Sequence, residues 1–243
     1  MSNHDSNIKV TLLTYSEEPL KVISAAINQC YSAKSGAELM EEMPAEKRIR
    51  LIRQVLASGH TSTIEHASFT FSIENVSRIT EVQLVRHRMA SYSIKSGRYN
   101  PSHTNFIIPA KIAKNKAAMK LADELETKLI EFIEVCKEQK IPFEDIRYLI
   151  PQGTKTNIVV TMNARSLYNF FKERMCNRAQ WEIRTLANLM HTELMKVVPE
   201  LFEFAGPTCK SEGICWQSEK MSCGLWKSLN GERRDAVYLG ETS

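Results

Sequence analysis

The densest polar cluster of the sequence is RHRMASYSIKSGRY at residues 86–99. It contains four Arg or Lys side chains, one His and several hydroxyl groups. Ser96, Gly97 and Arg98 suit a phosphate group, because glycine allows a close backbone approach, serine donates a hydroxyl and a guanidinium binds two oxygens at once. The alternative is a solvated basic turn, which is common for clusters of this kind. Because the cluster continues directly from an apolar helical pattern, a phosphate site is favoured.

A second cluster, NARSLYN at residues 163–169, leaves a predicted strand and enters a predicted helix. Arg165 and Asn169 are four positions apart and share one helical face. The unpaired N–H groups of a helix start attract anions, so this position suits a pyrophosphate. Equally well, Asn163 and Ser166 simply cap the helix. Both interpretations stay open when this segment is considered alone.

Two further clusters carry Arg and His side chains. Arg174 and Arg178 stand one helical turn apart beside Trp181, which by itself favours an ion-paired helix junction. His60 and His66 are six residues apart, which does not match a helical metal pair, and HExxH is absent from the sequence. For residues 60–66 a capped or hydrogen-bonded turn is therefore favoured over a zinc site.

Composition and missing motifs exclude several classes of protein. The net charge of +4 is mild and the basic residues are spread along the chain, which argues against a nucleic-acid-coating surface but allows small anionic ligands. GxGxxG, P-loop and GxSxG motifs are all missing from the sequence. No apolar stretch reaches the about 18 residues that a membrane span needs, and the opening MSNHDSN does not resemble a secretory signal. We expect a cytoplasmic protein that binds neither nucleic acid nor membrane.

Three of the six cysteines, Cys209, Cys215 and Cys223, lie close together near the end of the sequence. Their intervals of five and seven residues differ from the tight CxxC pairs of zinc ribbons. In a cytoplasmic chain of 243 residues, reduced thiols are more plausible than a disulfide framework. We predict ordinary thiols and no metal site, with a metal or redox role as the less favoured alternative.

Hydrophobic periodicity predicts strands and helices without a regular βα alternation, which favours an α+β fold. In the helix that is expected to begin at Ser77 and end near residue 90, an apolar stripe places Gln83 and Arg86 together on the adjoining face; the stripe is Ile79, Val82, Val85 and Met89. Residues 91–101 are predicted to form a loop because they contain serines, a glycine and a proline. The other predicted strands are 8–13, 66–73 and 156–162, and the other helices are 20–30, 48–57, 110–140, 166–175 and 179–198.

Taken in order, these clusters resemble the flavin-dependent thymidylate synthase family, whose signature is RHRxxSxNxxSxRY. The chain departs from it at Ser93, which replaces the motif Asn, and at Ile94 and Lys95, so side-chain contacts from these positions are not carried over. The resemblance covers roughly residues 8–205 and includes several ordered motifs. The matching residues are Arg86, His87, Arg88, Ser91, Ser96, Arg98 and Tyr99, with His60, Glu65 and His66 upstream and with NARSL at 163–167, Arg174 and AQWEI at 179–183 downstream.

The resemblance implies a central, mostly antiparallel sheet flanked by long helices, with active sites built between the subunits of a homotetramer. It implies a catalytic domain at residues 1–205 and a cysteine-containing tail at 206–243. His60 would lie near the folate. FAD would contact Ser62, Arg86, His87, Arg88, Asn163, Arg165 and Asn169. The substrate dUMP would be held by Gln83, Arg86, Ser96, Gly97, Arg98, Arg147 and Arg174.

The chemistry implied by the resemblance is methylation of dUMP to dTMP. The carbon would come from 5,10-methylenetetrahydrofolate and the hydride from reduced flavin, which NADPH or NADH would regenerate. Arg174 is assigned to stabilising negative charge on the uracil ring, because a guanidinium stays protonated and does not act as a base. Several arginines converging without acidic partners would fit the binding of anionic ligands better than a role in folding.

Two other functions are compatible with the same residues. One is a small RNA-binding or nucleotide-binding protein that holds phosphates with the Arg/Ser loop and stacks bases on Tyr92 or Tyr99. The other is a flavin-binding protein without synthase activity. Bound yellow flavin would separate an enzyme of this family from the first alternative, and turnover of dUMP would separate it from the second.

Overall fold

The computed structural model describes residues 7–97 and 106–233 and has an α+β fold. Its main sheet has four strands in the order β1-β2-β4-β3, which are β1 (Lys9–Tyr15), β2 (Ser68–Ser77), β3 (Ala90–Ile94) and β4 (Lys155–Asn163). The longer helices are α1 (Pro19–Gln29), α2 (Gly36–Glu42), α3 (Ala45–Ala57), α4 (Arg78–Leu84), α6 (Lys116–Glu138), α8 (Ala164–Arg174) and α9 (Trp181–Val197). Single-turn helices are α5 (Ala110–Ala113), α7 (Phe143–Ile146), α10 (Pro199–Phe202), α11 (Thr208–Ser211) and α12 (Leu225–Ser228).

The chain divides into two compact units, and the strands of the main sheet contribute residues to both. Unit 1 comprises Met1–Lys9, Ser72–Arg86 and Tyr92–Val159. Unit 2 comprises Val10–Phe71, His87–Ser91 and Val160–Ser243. The described part of the expected tail, residues 206–233, therefore groups with unit 2. In this part, β5 (Ile214–Cys215) and β6 (Glu232–Arg233) form a short parallel pair.

Strands β2 and β4 run antiparallel, as two hydrogen bonds show. In unit 2 the Ala164 N–H donates to the Ala67 carbonyl at 2.8 Å, and in unit 1 the Arg78 N–H donates to the Thr154 carbonyl at 3.1 Å. The alternation predicted for β2 is confirmed, since its apolar residues are buried while the residues between them are not. Helix α4 follows β2 directly along the chain, and α8 follows β4.

The core of unit 2 is an aromatic cluster that fixes α8. Phe202 packs edge-on against Phe69 and Phe171, with ring centroids 5.3 and 6.3 Å apart. The Tyr168 hydroxyl donates to the Leu201 carbonyl at 2.6 Å, and burial raises the pKa of this phenol. Because aromatic burial dominates the energetics of a core, the orientation of α8 is strongly determined.

Unit 1 has a separate core beneath the long helix α6. Leu129, Ile133 and Cys136 of α6 are buried together with Ile146 of α7. The Asn115 side chain caps the start of α6 by accepting from the Ala118 N–H at 3.0 Å. The helical pattern predicted for residues 110–140 is confirmed, although Lys114 and Asn115 interrupt it between α5 and α6.

The helix predicted from Ser77 to about residue 90 is too long. Ser77 does cap α4, but the helix ends at Leu84. Strand β3 then begins at Ala90 and occupies the first part of the segment that was predicted as a loop. The Tyr92 hydroxyl donates to the Leu84 carbonyl at 2.9 Å and so helps to close the end of α4. The predicted apolar stripe is therefore not a core face, and the following large side chains are exposed: Ile79, Val82, Val85 and Met89.

No helix in residues 7–97 and 106–233 is both long enough and apolar enough to span a bilayer.

Candidate functional site

Helix α8 in unit 2 presents two polar side chains at its start. The helix buries Leu167, Phe170 and Phe171 on its apolar face, so Arg165 and Asn169 are left exposed one turn apart on the other face. Their exposure and the N-terminal position of Arg165 suit an anionic group.

The cap of α8 explains one of the residues predicted to bind the cofactor. Asn163 immediately precedes the helix, and its Oδ1 accepts a hydrogen bond from the Ser166 N–H at 2.8 Å. The capping interpretation is therefore confirmed for this side-chain oxygen. The cap does not use the Asn163 amide nitrogen, so the residue can hold the helix start and still offer a donor.

Arg165 is not without an acidic partner. Its Nη1 forms an ion pair with Glu65 Oε1, which lies in the 3-10 helix Thr61–His66. The expectation that the arginines converge without acidic partners is wrong at this position, because this 3-10 helix and α8 pack together in unit 2 and bring Glu65 within reach. The same 3-10 helix carries Ser62, which is exposed, and it begins after the exposed His60.

At the other end of α8, Arg174 contacts His87. The Arg174 Nε–H donates to His87 Nε2 at 3.0 Å, and both residues belong to unit 2. The His87 ring also packs edge-on against Phe170, with centroids 5.0 Å apart. Glu173 Oε2 lies 3.9 Å from His87 Nε2 and 3.8 Å from Arg174 Nη2. The pair is thus fixed by a hydrogen bond, an aromatic contact and one neighbouring carboxylate.

The hydrogen bond sets the protonation of His87. Because Nε2 accepts from a guanidinium, the imidazole is neutral and carries its proton on Nδ1. Burial lowers the pKa of His87, and the positive charge of Arg174 lowers it further, while Glu173 acts in the opposite direction. Neutral His87 therefore orients a guanidinium that stays charged.

Unit 1 contains a cavity of about 530 Å³ beside the end of β3. Three of the residues predicted to bind the nucleotide line this cavity, namely Ser96, Gly97 and Arg147. Arg147 begins the short 3-10 helix Arg147–Leu149, more than fifty positions from Ser96 along the chain. The structure thus brings together residues that the sequence keeps apart.

The cavity is also rich in cations. Arg78 is already engaged, because its Nη1 binds both oxygens of Glu81 and its Nη2 donates to the Lys95 carbonyl at 3.1 Å. Arg147 and Lys155 have no acidic partner among the residues that the structure describes. These two side chains, with the Ser96 hydroxyl and the Gly97 backbone, can surround a phosphate.

The remaining predicted residues lie outside this cavity or outside the described part of the chain. Gln83 is on α4 and Arg86 follows its end, both in unit 1, but neither lines the cavity. Arg88 is exposed in unit 2. Arg98 and Tyr99 fall on residues 98–105, which are not among those described.

Nine of the twelve residues that line the cavity were not assigned to the site from the sequence, among them Lys95, Lys155 and Tyr148. Lys95 was set aside because it departs from the family signature, and Lys155 starts β4 with no local motif around it. The only usable signal was the position of Lys155 after a glycine-containing turn and before an alternating strand. Sequence spacing did not show that this strand begins at the cavity that Ser96 also lines.

A family model and the relatives compared with the chain agree on one enzyme family. Residues 11–200 match the family model described as thymidylate synthase complementing protein. The flavin-dependent thymidylate synthase of Clostridium tetani is 42% identical over 241 residues, covering 92% of this chain and 96% of that protein. The enzyme of the same name from Nitratidesulfovibrio vulgaris is 43% identical over 232 residues, covering 90% and 95%.

Two solved structures share the fold. The flavin-dependent thymidylate synthase of Helicobacter pylori, complexed with FAD and dUMP, is 28% identical with a TM-score of 0.64 and covers 82% of this chain and 99% of that chain. The UMP/dUMP methylase PolB of Streptomyces cacaoi, bound with 5-Br dUMP, is 25% identical with a TM-score of 0.70 and covers 82% and 94%. The α+β fold expected from the sequence is confirmed by this likeness.

Proposed function

Because the chain belongs to the flavin-dependent thymidylate synthase family, we propose which of its residues and which cosubstrates carry out the methylation. The chain is a FAD-dependent enzyme that methylates dUMP to dTMP. The carbon donor that we propose is 5,10-methylenetetrahydrofolate, and the proposed reductant is NADPH. When bound, the reduced flavin would supply the hydride that completes the methyl group.

The unit 1 cavity is the proposed seat of the dUMP phosphate. The observation that carries this assignment is the meeting of Ser96, Gly97 and Arg147 around one cavity that also holds Lys155. A nucleotide monophosphate is dianionic near neutral pH, and charge-assisted hydrogen bonds to it are the strong ones. The full set proposed to bind dUMP is Gln83, Arg86, Ser96, Gly97, Arg98, Arg147 and Arg174.

The start of α8 and the neighbouring 3-10 helix are proposed to hold FAD. Arg165 and Asn169 offer donors on one exposed face, and Ser62 is exposed on the adjacent element. The cofactor carries a pyrophosphate, which matches a helix start flanked by a guanidinium. Glu65 then orients Arg165 and competes with the cofactor for its charge. The full proposed set is Ser62, Arg86, His87, Arg88, Asn163, Arg165 and Asn169.

Arg174 is the proposed catalytic residue. A guanidinium that is held in place before the reaction stabilises negative charge as it develops on the uracil ring, with little reorganisation. His87 supplies this positioning through the bond to Arg174 Nε, so the bond does not use the terminal nitrogens, of which Nη2 lies 3.8 Å from Glu173 Oε2. His60 is the residue that we propose to lie near the folate.

A homotetramer and a cytoplasmic location complete the proposal. Exposed apolar side chains on α4, Ile79 and Val82, support an assembly, because they are large and lie on one short helix. An assembly would also explain why the predicted arginines are scattered along one chain.

The visible absorption spectrum tests this function. The purified protein should show the yellow absorption of bound oxidised flavin, should lose it on reduction with NADPH and should change its spectrum when dUMP is added. Deoxyuridine, which lacks the phosphate, is the matched ligand and should produce a much smaller change at equal concentration. A colourless protein that also fails to take up added FAD would contradict the proposal.

A further inference from the structure

A second cavity, of about 510 Å³, lies within unit 2 and is lined by four of the six cysteines of the chain. Cys176 comes from the loop between α8 and α9, whereas the other three come from the C-terminal segment; these are Cys209, Cys215 and Cys223. The sequence had shown only the cluster of three. The fourth thiol joins them because the C-terminal segment packs on the loop that follows α8.

Three side-chain contacts hold this arrangement together. Lys172 of α8 forms an ion pair with Glu212 at 2.5 Å. The Asn177 Nδ2 donates to Cys223 Sγ at 3.5 Å, and Arg178 Nη2 donates to the sulfur of Met221 at 3.6 Å. These contacts join α8 and the loop after it to the C-terminal segment, and so bring the cysteines of both segments to one cavity.

Two of the four thiols that line the cavity are shielded from solvent. Cys209 and Cys215 are each 8% exposed. Cys176 is half-buried and Cys223 is exposed. Four thiols that line one cavity are more than a structural role requires. A buried reduced cysteine packs as a small apolar side chain and does not need a second thiol beside it.

We propose that Cys176, Cys209, Cys215 and Cys223 are the ligands of an iron–sulfur cluster. Four cysteine thiolates are the usual ligand set of such clusters. A cluster with four thiolates is anionic overall, and Arg174 and Arg178 line the cavity, together with Glu173 and with Lys172, which is paired with Glu212. The donor on Cys223 is the kind of hydrogen bond that stabilises a ligating sulfur.

A single zinc ion fits the cavity less well. With Zn–S bonds of about 2.3 Å, four tetrahedral thiolates come within roughly 4 Å of one another. Within residues 7–97 and 106–233, no three His, Cys, Asp or Glu side chains are gathered so that one ion could be held between them. An iron–sulfur cluster places several iron and sulfide atoms between its cysteines, so it needs wider spacing and a larger cavity.

The cluster would link the C-terminal segment to the loop that begins just after Arg174. This inference does not depend on the proposed function, because it concerns thiols that are not assigned to FAD or dUMP. It takes up the metal role that the sequence analysis left as the less favoured alternative to ordinary thiols.

Chemical analysis of the protein tests the proposal. The full chain is purified without oxygen, or is reconstituted with ferrous iron, sulfide and dithiothreitol and then desalted, and its iron, acid-labile sulfide and zinc are measured. We expect iron and sulfide in equal amounts, and a paramagnetic cluster signal after dithionite reduction. Zinc in place of iron, or a protein that holds neither iron nor sulfide after reconstitution, would overturn the assignment.

Matched cysteine variants locate the site. Cys223→Ser changes an exposed ligand and Cys215→Ser a buried one, and each should cause a loss of both iron and sulfide. Cys30→Ser changes an exposed cysteine that does not line the cavity and should keep the wild-type content. Circular dichroism and FAD content confirm that a variant is folded. Equal iron and sulfide content in Cys30→Ser and in folded Cys223→Ser would show that the cluster is not held here.

Discussion

The Nε–H of Arg174 donates a 3.0 Å hydrogen bond to Nε2 of His87, although the two residues are 87 positions apart in the chain. This bond requires a neutral imidazole, and burial together with the charge of Arg174 lowers the pKa of His87 to favour that form. The pair therefore joins the family signature, which contains His87, to the end of α8. The orientation of the Arg174 guanidinium therefore depends on the protonation of His87.

Arg174→Ala should lower the turnover of dUMP by about 10² to 10³, because one preorganised donor to developing negative charge is removed. Arg174→Lys should recover only part of this loss, since an ammonium cannot both reach His87 and present a forked donor. Steady-state kinetics would measure both. Arg50→Ala, at an exposed arginine of α3, is the matched control and should keep wild-type turnover. Equal turnover in Arg174→Ala and Arg50→Ala would rule out the catalytic role.

The acid limb of the pH profile should depend on His87. A histidine with a lowered pKa contributes stability that is fully present above its usual value of 6.5 and is lost as the pH falls below that value toward the folded pKa. Protonation also removes the acceptor for Arg174, so kcat should fall in the same range. His87→Gln keeps an acceptor that does not titrate and should flatten this limb. An unchanged limb in His87→Gln would assign it to another group.

Arg147→Ala should weaken dUMP binding by about tenfold to a hundredfold, because it removes a charge-assisted hydrogen bond from the phosphate. Binding of deoxyuridine should change little, since it lacks the group that Arg147 contacts. Titration of flavin absorbance with each ligand gives both constants, and Arg50→Ala serves again as the control. A similar loss for the nucleotide and the nucleoside would indicate that Arg147 acts on the shape of the cavity and not on the phosphate.

Arg165→Ala and Asn163→Ala should produce different defects although the residues are close in sequence. Arg165 is exposed at the start of α8, so its loss should reduce FAD retention by about tenfold or more while the free energy of unfolding changes little. Loss of the Asn163 cap should cost about 1 kcal/mol of stability, and Asn163→Ser should restore most of it. FAD content after gel filtration and urea unfolding of the apoprotein measure the two effects. A stability loss in Arg165→Ala equal to that in Asn163→Ala would contradict this division.

Sequence patterns over a few residues correctly predicted strand alternation, helix caps and helical faces. The alternation of β2, the Ser77 and Asn163 caps and the helical face with Arg165 and Asn169 were all confirmed. Each depends on residues within four positions of one another, so the sequence displays it directly. The ordered clusters also identified the family, because several motifs in one order are far more specific than any one of them.

Features that depend on distant residues were not visible. Strand β3 was taken for helix and loop, because its main chain is stabilised by pairing with β4, as in the bond from the Lys95 N–H to the Asn157 carbonyl. The ion pair of Arg165 with Glu65 spans 100 positions. Cys176 likewise reaches the three C-terminal cysteines only through the packing of that segment on α8. For β3, strand pairing overrides the local propensity of the segment. The ion pair and the position of Cys176 depend on contacts between residues far apart in the chain, which no local pattern displays.

Release of tritium from dUMP labelled at C5 of the uracil ring is the most direct test of the function. In the presence of NADPH and methylenetetrahydrofolate, the protein with bound FAD should release tritium and form dTMP, and Arg174→Ala should do so about 10² to 10³ times more slowly. A folded wild-type protein with bound FAD that binds dUMP but neither releases tritium nor forms dTMP would contradict the account.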